Sequence, residues 1–159
     1  MLTDSKYGYS CFAGELRVSL LRAPKSPDPD ADMAEHRFAY ALLPHSGGWR
    51  EAGVVTEAIR FNAPLRWGPG GSSLPSLAAV DDDNLVLDTI KRAEDSDALV
   101  LRLYDAHGAR GVARVSLGVP FTDAWHANLL EDVGEALEVE GTAILVPYRP
   151  HEIVTLLVR

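Results

Sequence analysis

The sequence has little cysteine, no long apolar run and few basic residues. It has one cysteine, Cys11, so no disulfide can form within the chain and a reducing compartment is permitted. No apolar run approaches the roughly 20 residues that a membrane-spanning helix needs. The segment Met1–Asp4 reaches an acidic residue at once, so we expect no secretory signal peptide. We therefore expect no membrane partner.

Basic residues are also scarce. The chain has 15 Lys and Arg against 23 Asp and Glu, which gives a formal net charge of −8 and a sequence pI near 5.0. Because nucleic-acid binding depends on clustered Lys and Arg, this balance argues against a nucleic-acid partner. With 159 residues, 47% of them hydrophobic, the chain can still bury a core and form one domain or two small ones.

Alternating apolar residues predict two β-strands in the first part of the chain, over 15–21 and 36–42. Three prolines between these stretches are incompatible with regular strand pairing and predict a loop. A third stretch, Trp49–Ile59, has apolar residues at helical spacing and predicts one short amphipathic helix, although Gly53 weakens it. The residues predicted to face inward from the two strands are Leu16, Val18, Leu20, Phe38, Tyr40 and Leu42.

Residues from about 62 to 84 are mostly turn formers or charged and predict a long surface loop or a boundary. We place the boundary after residue 75, which divides the chain into domains 1–75 and 76–159. Seven short strands are predicted beyond it, and with no helix between them they indicate an antiparallel sandwich. The last is apolar on both faces, which favours a central or interface-buried position. The seven are Leu85–Ile90, Ala98–Tyr104, Gly111–Leu117, Ala124–Leu130, Ala136–Val139, Thr142–Val146 and Glu152–Val158.

No complete set of catalytic or metal-binding residues is recognisable. Asp28, Asp30 and Asp32 have the one-three-five spacing of a calcium loop, but Met33 and Ala39 stand where that loop needs Gly and Glu, which favours a solvated loop. The run 81–83 is interpreted as a charged surface turn. None of the five histidines has a partner at zinc-ligand spacing, and no phosphate loop or nucleophile elbow occurs. Three tryptophans, at positions 49, 67 and 125, could stack on sugar rings, although packing is the commoner role.

The order of several residue blocks resembles the C-terminal part of the α-mannosidases of glycoside hydrolase family 38, in particular their cytosolic and bacterial branch. The resemblance departs from the family pattern at His151, where Phe is usual, and at Val154, where Lys is common. The blocks are Asp4–Tyr9, Val18–Pro24 with Pro27-Asp28, the spaced residues from His36 to His45, Glu51–Val54, Leu87–Glu94, Leu101–Gly108 and Arg149–Leu156.

The resemblance implies an all-β region with one short helix. Residues 1–75 would close a large β-supersandwich, and 76–159 would form a small terminal sandwich. It also implies that the zinc ligands and the nucleophilic aspartate belong to an N-terminal catalytic domain absent from this chain. We therefore expect no catalytic residue, metal ligand or cofactor here, with zinc held by that catalytic domain. The expected partners are this domain and a mannose-containing glycan, and the expected compartment is the cytoplasm.

The same resemblance places an arginine near the catalytic cavity, and Arg22 is the matching position. An alternative role for Arg22 is a loop ion pair with Asp28 or Asp32. Lys6, Tyr7 and His36 are second candidates for the same sugar-binding rim. Two other functions remain open, namely a stand-alone carbohydrate-binding module and a scaffold that only braces the catalytic domain.

Overall fold

The structure is a computed structural model that describes residues 1–63, 65, 68–69 and 76–159. It forms two compact units, Met1–Pro69 and Gly70–Arg159. The predicted domain boundary follows Pro75, which lies outside the described residues, so that boundary stays a prediction. Over the described ranges, no helix is long and apolar enough to span a membrane.

The first unit contains short, two-stranded pairings. Strand β1 pairs with β4, and β2 pairs with β3, both antiparallel. Asn62 at the end of the helix donates a hydrogen bond from Nδ2 to the carbonyl of Thr3, which ties the helix to β1. The elements are β1 (Leu2–Thr3), β2 (Tyr9–Phe12), β3 (Glu15–Val18), β4 (Tyr40–Ala41) and the helix α1 (Val54–Asn62).

The strands predicted in this unit form only in part. Strand β3 ends at Val18, and the second predicted strand is reduced to Tyr40–Ala41. Tyr40 and Leu42 are 55% and 67% exposed, so the prediction that they face inward is wrong. The physical reason is that a two-stranded pair offers no facing layer, and alternation alone does not say whether one exists.

The predicted helix begins five residues later than Trp49. Residues 49–53 form turns instead, in which the N–H of Gly53 donates to the carbonyl of Arg50. Gly53 caps the helix with φ of 61°, a left-handed conformation that glycine adopts without steric cost. The glycine that weakened the prediction thus marks the start of the helix.

The second unit is an antiparallel β-sandwich, as predicted. One sheet has five strands in the order β10-β9-β13-β7-β6, and the other has four in the order β11-β12-β8-β5. Its strands are β5 (Ala78–Val80), β6 (Leu85–Arg92), β7 (Leu99–Asp105), β8 (Gly111–Leu117), β9 (Ala124–Ala127), β10 (Val133–Ala136), β11 (Glu138–Glu140), β12 (Ala143–Tyr148) and β13 (Ile153–Val158).

The hydrophobic core lies between these two sheets. Leu101 and Leu103 of the five-stranded sheet face the layer that contains Val115 and Ile144, and all four are almost fully buried. Strand β13 lies between β7 and β9, which confirms the central position predicted for its doubly apolar sequence. A smaller cluster that includes Val100, Trp125 and Leu157 covers part of the outer face of the same sheet.

Three features of this unit differ from the prediction. The strand predicted over Ala124–Leu130 ends at Ala127. The single strand predicted over Ala136–Val139 is divided, because β10 pairs in one sheet and β11 in the other, with Leu137 at the crossing. Strand β5 falls in the stretch predicted as loop. It pairs with β8, and Gly118 permits the approach, since a Cβ there would lie 2.4 Å from the Ser76 carbonyl oxygen.

Candidate functional site

Three segments of the first unit surround a concave surface of about 590 Å³, which we call the rim site. They are the turn before β2, the chain that follows β3, and the loop before β4. All four residues predicted for the sugar-binding rim line it. The rim site consists of Lys6, Tyr7, Gly8, Ser19, Leu20, Leu21, Arg22, Pro24, Asp32 and His36.

Lys6 and Tyr7 are positioned by the residues just before them. The Oδ2 atom of Asp4 accepts the N–H of Ala39 at 3.0 Å, and this bond is the main cause that lowers the pKa of the Asp4 carboxyl. The N-terminal turn is thereby tied to the chain around Phe38, whose ring lies 4.6 Å from Lys6 Nζ in a cation–π contact. Tyr7 is 89% exposed and free to present its ring to a ligand.

Arg22 lies beyond the end of β3, in the segment that crosses the rim site. It is exposed and forms no ion pair within the described part of the chain, so the alternative pairing with Asp28 or Asp32 does not occur there. Its guanidinium is a planar group of donors with no acceptor of its own, suited to a hydroxyl or a carboxylate.

His36 is held by the acidic loop on the opposite side. Its Nε2–H donates to the backbone carbonyl of Asp32 at 2.9 Å, and Asp32 Oδ2 accepts the N–H of Ala23 at 3.2 Å. In the neutral ring this bond leaves Nδ1 as an acceptor. The rim site therefore combines cationic donors from Lys6 and Arg22 with an imidazole and one carboxylate.

Sequence reasoning missed the wall of the site. The alternating pattern over 15–21 predicts Ser19, Leu20 and Leu21 as part of a strand, but β3 ends before them and they line the concavity instead. Ser19 is fixed by its N–H, which donates to the carbonyl of Gly8 at 2.8 Å.

The residues considered for metal binding form no such site. Asp28 Oδ1 accepts the N–H of Asp30 at 2.9 Å, so the acidic loop uses its carboxylates for its own turn. Over the ranges that the structure describes, no three His, Cys, Asp or Glu side chains come together to hold a metal ion. The donor set of the described residues thus does not fit zinc.

The two described tryptophans, Trp49 and Trp125, belong to different units. Trp49 is 46% exposed in the first unit, with Arg50 over its ring at 5.0 Å. Trp125 packs in the outer cluster of the second unit. Trp67 lies outside the described residues.

The fold defines an all-β region whose second unit is an antiparallel β-sandwich. Residues 84–156 match the family described as the glycosyl hydrolases family 38 C-terminal beta sandwich domain. The chain belongs to the C-terminal β-sandwich region of glycoside hydrolase family 38.

The relatives support the same family. The chain is 39% identical over 166 residues to α-mannosidase 2C1 of Homo sapiens, covering 99% of this chain and 16% of that protein. It is 33% identical over 165 residues to α-mannosidase G of Dictyostelium discoideum, covering 98% of this chain and 15% of that protein. The chain therefore spans about one sixth of the length of these relatives.

Proposed function

We propose that this chain is a non-catalytic C-terminal region of a retaining, zinc-dependent α-mannosidase, where it braces the catalytic domain and lines the rim of the mannoside pocket. The observation that carries the rim role is the convergence of Lys6, Tyr7, Arg22 and His36 on one concave surface. We assign the zinc and the nucleophile to the catalytic domain, as the resemblance to family 38 implies.

The bracing role is supported by the lack of a core in the first unit. Among its described residues, Leu2 alone is buried. The register of β2 and β3 puts Tyr9, Cys11, Leu16 and Val18 on one apolar face of the hairpin. A two-stranded hairpin is marginal in water without a packed face, so this surface is expected to complete its core against another part of the enzyme.

The rim role is tested by Arg22→Ala in an α-mannosidase that contains this chain. The loss of a charge-assisted hydrogen bond, worth about 1.5–3 kcal/mol, should lower kcat/KM for a mannoside by roughly tenfold or more while the enzyme stays folded. Arg37→Ala is the matched control, because Arg37 is exposed, pairs only locally with Glu35 and does not line the rim site. Wild-type kinetics for Arg22→Ala would reduce Arg22 to a surface residue.

The bracing role has its own test. An enzyme truncated at the start of this region should not accumulate in active form, because its supporting β layers are gone. A fully active truncated enzyme would contradict the bracing role and, because the truncation also removes Arg22, the rim role as well.

The alternative function, a stand-alone carbohydrate-binding module, requires an exposed aromatic platform. Among the described residues of the first unit, Tyr7 and Phe12 have the most exposed aromatic rings, and Tyr7 is the one that lines the rim site. Titration of the 159-residue chain with sugars, followed by tryptophan fluorescence, separates the two functions. Binding by the isolated chain favours the module if Tyr7→Ala abolishes it.

A further inference from the structure

A second concave surface, which we call the outer site, lies on the small sandwich and has a volume of about 470 Å³. Its floor is formed by Tyr104 of β7 and Ile153 of β13, which are direct cross-strand partners. Their neighbours Leu103 and Val154 point into the core. Because side chains alternate along a strand, Tyr104 and Ile153 lie on the outer face of the five-stranded sheet.

A β-bulge brings an acid to the edge of this floor. In the pairing of β6 with β7, Leu87 faces Leu103 and Thr89 faces Arg102, so Asp88 has no partner. Bulges re-aim a side chain and occur often beside functional sites. The Asp88 carboxylate lines the outer site and accepts the hydroxyl of Thr89 at 2.7 Å, which leaves further acceptor capacity. Burial and then the charge of Asp88 raise the pKa of Tyr104, as expected for two groups close together.

Arg102 supplies donors on the other side of the floor. Its Nη2–H donates to the carbonyl of Leu129 at 3.0 Å, and the Glu131 carboxylate lies 3.7 Å from the same nitrogen. These contacts hold the guanidinium in place. A guanidinium carries five N–H donors and these contacts use only some of them, so the side chain, which is 31% exposed, keeps donors for a ligand.

We propose that the outer site binds one neutral hexopyranose. A sugar ring has an apolar C–H face, which suits the floor of Tyr104 and Ile153, and hydroxyls that both donate and accept, which suit Asp88 and Arg102 together. A carboxylate and a guanidinium on either side of one floor disfavour a strongly charged ligand of either sign. The volume falls in the range of about 300–1,000 Å³ typical of small-molecule sites.

The test uses the whole 159-residue chain, observed by NMR, with methyl α-D-mannoside and methyl α-D-glucoside as probes. The mannoside is chosen on the basis of the proposed function, but the site itself does not depend on that choice. Saturable shifts should appear at Tyr104 and Ile153 with at least one of the two sugars. Asp88→Asn should weaken binding at least tenfold, because an amide replaces the acceptor carboxylate. Asp83→Asn, an exposed acid away from the site, should bind as the wild type does.

Tyr104→Ala is a second variant, which removes the aromatic part of the floor. It should abolish the sugar-dependent shifts at Ile153 while the rest of the spectrum stays dispersed. Absence of saturable shifts with both sugars would overturn the proposal, and so would unchanged affinity in Asp88→Asn. If Ile153→Arg impairs assembly of the enzyme while neither sugar binds the chain, the surface is a protein-packing face and the proposal is wrong. Arg22→Ala should leave this binding unchanged, so failure of the rim role and failure of the outer site are distinguishable.

Discussion

The carboxylate of Asp105 accepts the backbone N–H of His151 at 2.7 Å, which joins the end of β7 to the turn before β13. The same carboxylate accepts the N–H groups of His107 and Ala109 in the β7–β8 turn, at 3.2 Å and 3.1 Å respectively. His151 has φ of 60°, a left-handed conformation that a non-glycine residue adopts only when held. One side chain therefore fixes two turns at the same end of the sandwich.

We expect Asp105→Asn to lower the free energy of unfolding by about 1–3 kcal/mol, because it replaces one acceptor oxygen of a buried hydrogen-bond cluster with a donor. Denaturant unfolding measures this change. Asp83→Asn is the control and should stay within about 0.5 kcal/mol, since Asp83 is exposed. An Asp105→Asn variant as stable as the control would contradict the role of this carboxylate.

The same cluster predicts a loss of stability in acid. Burial alone would raise the pKa of Asp105. The N–H groups of His151 and of the β7–β8 turn donate to its carboxylate, outweigh burial and hold the pKa below the ordinary value of 3.8. A lowered folded-state pKa contributes stability that is fully present above 3.8 and is lost as pH falls through the folded-state value. The free energy of unfolding should therefore fall less steeply with decreasing pH for Asp105→Asn than for the wild type.

Tyr148 should ionise at a much higher pH than an ordinary tyrosine. Burial, and then its hydrogen bond to Asp82 at 2.6 Å, raises its pKa to about 12. The stability that follows from this shift is present below the ordinary pKa of 10.0 and is lost as pH rises towards 12. Ultraviolet absorbance follows the formation of tyrosinate as pH rises. The step at the highest pH should be lost in Tyr148→Phe and kept in Tyr9→Phe. If Tyr148→Phe instead lost a step at lower pH, the pKa of Tyr148 would not be raised.

Leu156 is the central side chain of β13 and is fully buried between the sheets. Leu156→Ala should cost about 2–5 kcal/mol of unfolding free energy, through lost burial and the cavity left behind. Val112→Ala is the control at an exposed strand position, with an expected change within about 0.5 kcal/mol. Equal losses in both variants, measured by thermal or denaturant unfolding, would argue against a core at Leu156.

Gly118→Ala tests the approach of β5 to β8. The added methyl would lie 2.4 Å from a backbone carbonyl oxygen, so the strand must shift, at a cost of about 1–3 kcal/mol. Gly68→Ala, where the methyl would meet open space, should change stability little. Hydrogen exchange of the Gly118 N–H, which donates to Leu77, would report whether β5 has loosened. Unchanged exchange and stability would contradict this packing.

The second unit could be predicted in some detail because its signals are local. Gly111–Leu117 forms a strand with the predicted bounds, and the doubly apolar β13 lies in the middle of its sheet. The first unit could not be predicted as well, because alternation at Tyr40 and Leu42 signals a facing layer that this unit does not contain. The β10–β11 division escaped because the segment around Leu137 looks like one short strand, although its two parts pair in different sheets.

The candidate residues of the rim site were proposed from a resemblance, and no periodicity or spacing connected them. Lys6 and His36 are thirty positions apart, and the concavity around them exists because Asp4 is bonded to Ala39 and Asp32 to Ala23. The outer site carried no sequence signal at all. Asp88 became a candidate through a bulge, which is visible only in the register of two paired strands.

The sequence by itself determined where most strands of the second unit form, β5 and the division between β10 and β11 excepted, and which of their faces are apolar, since both follow from the alternation of neighbouring side chains. Tertiary structure decided which strands share a sheet, where Leu137 crosses between sheets, and which distant polar residues meet in the rim site and the outer site. The reason is that pairing and loop convergence depend on contacts between residues far apart in the chain, which no local pattern encodes.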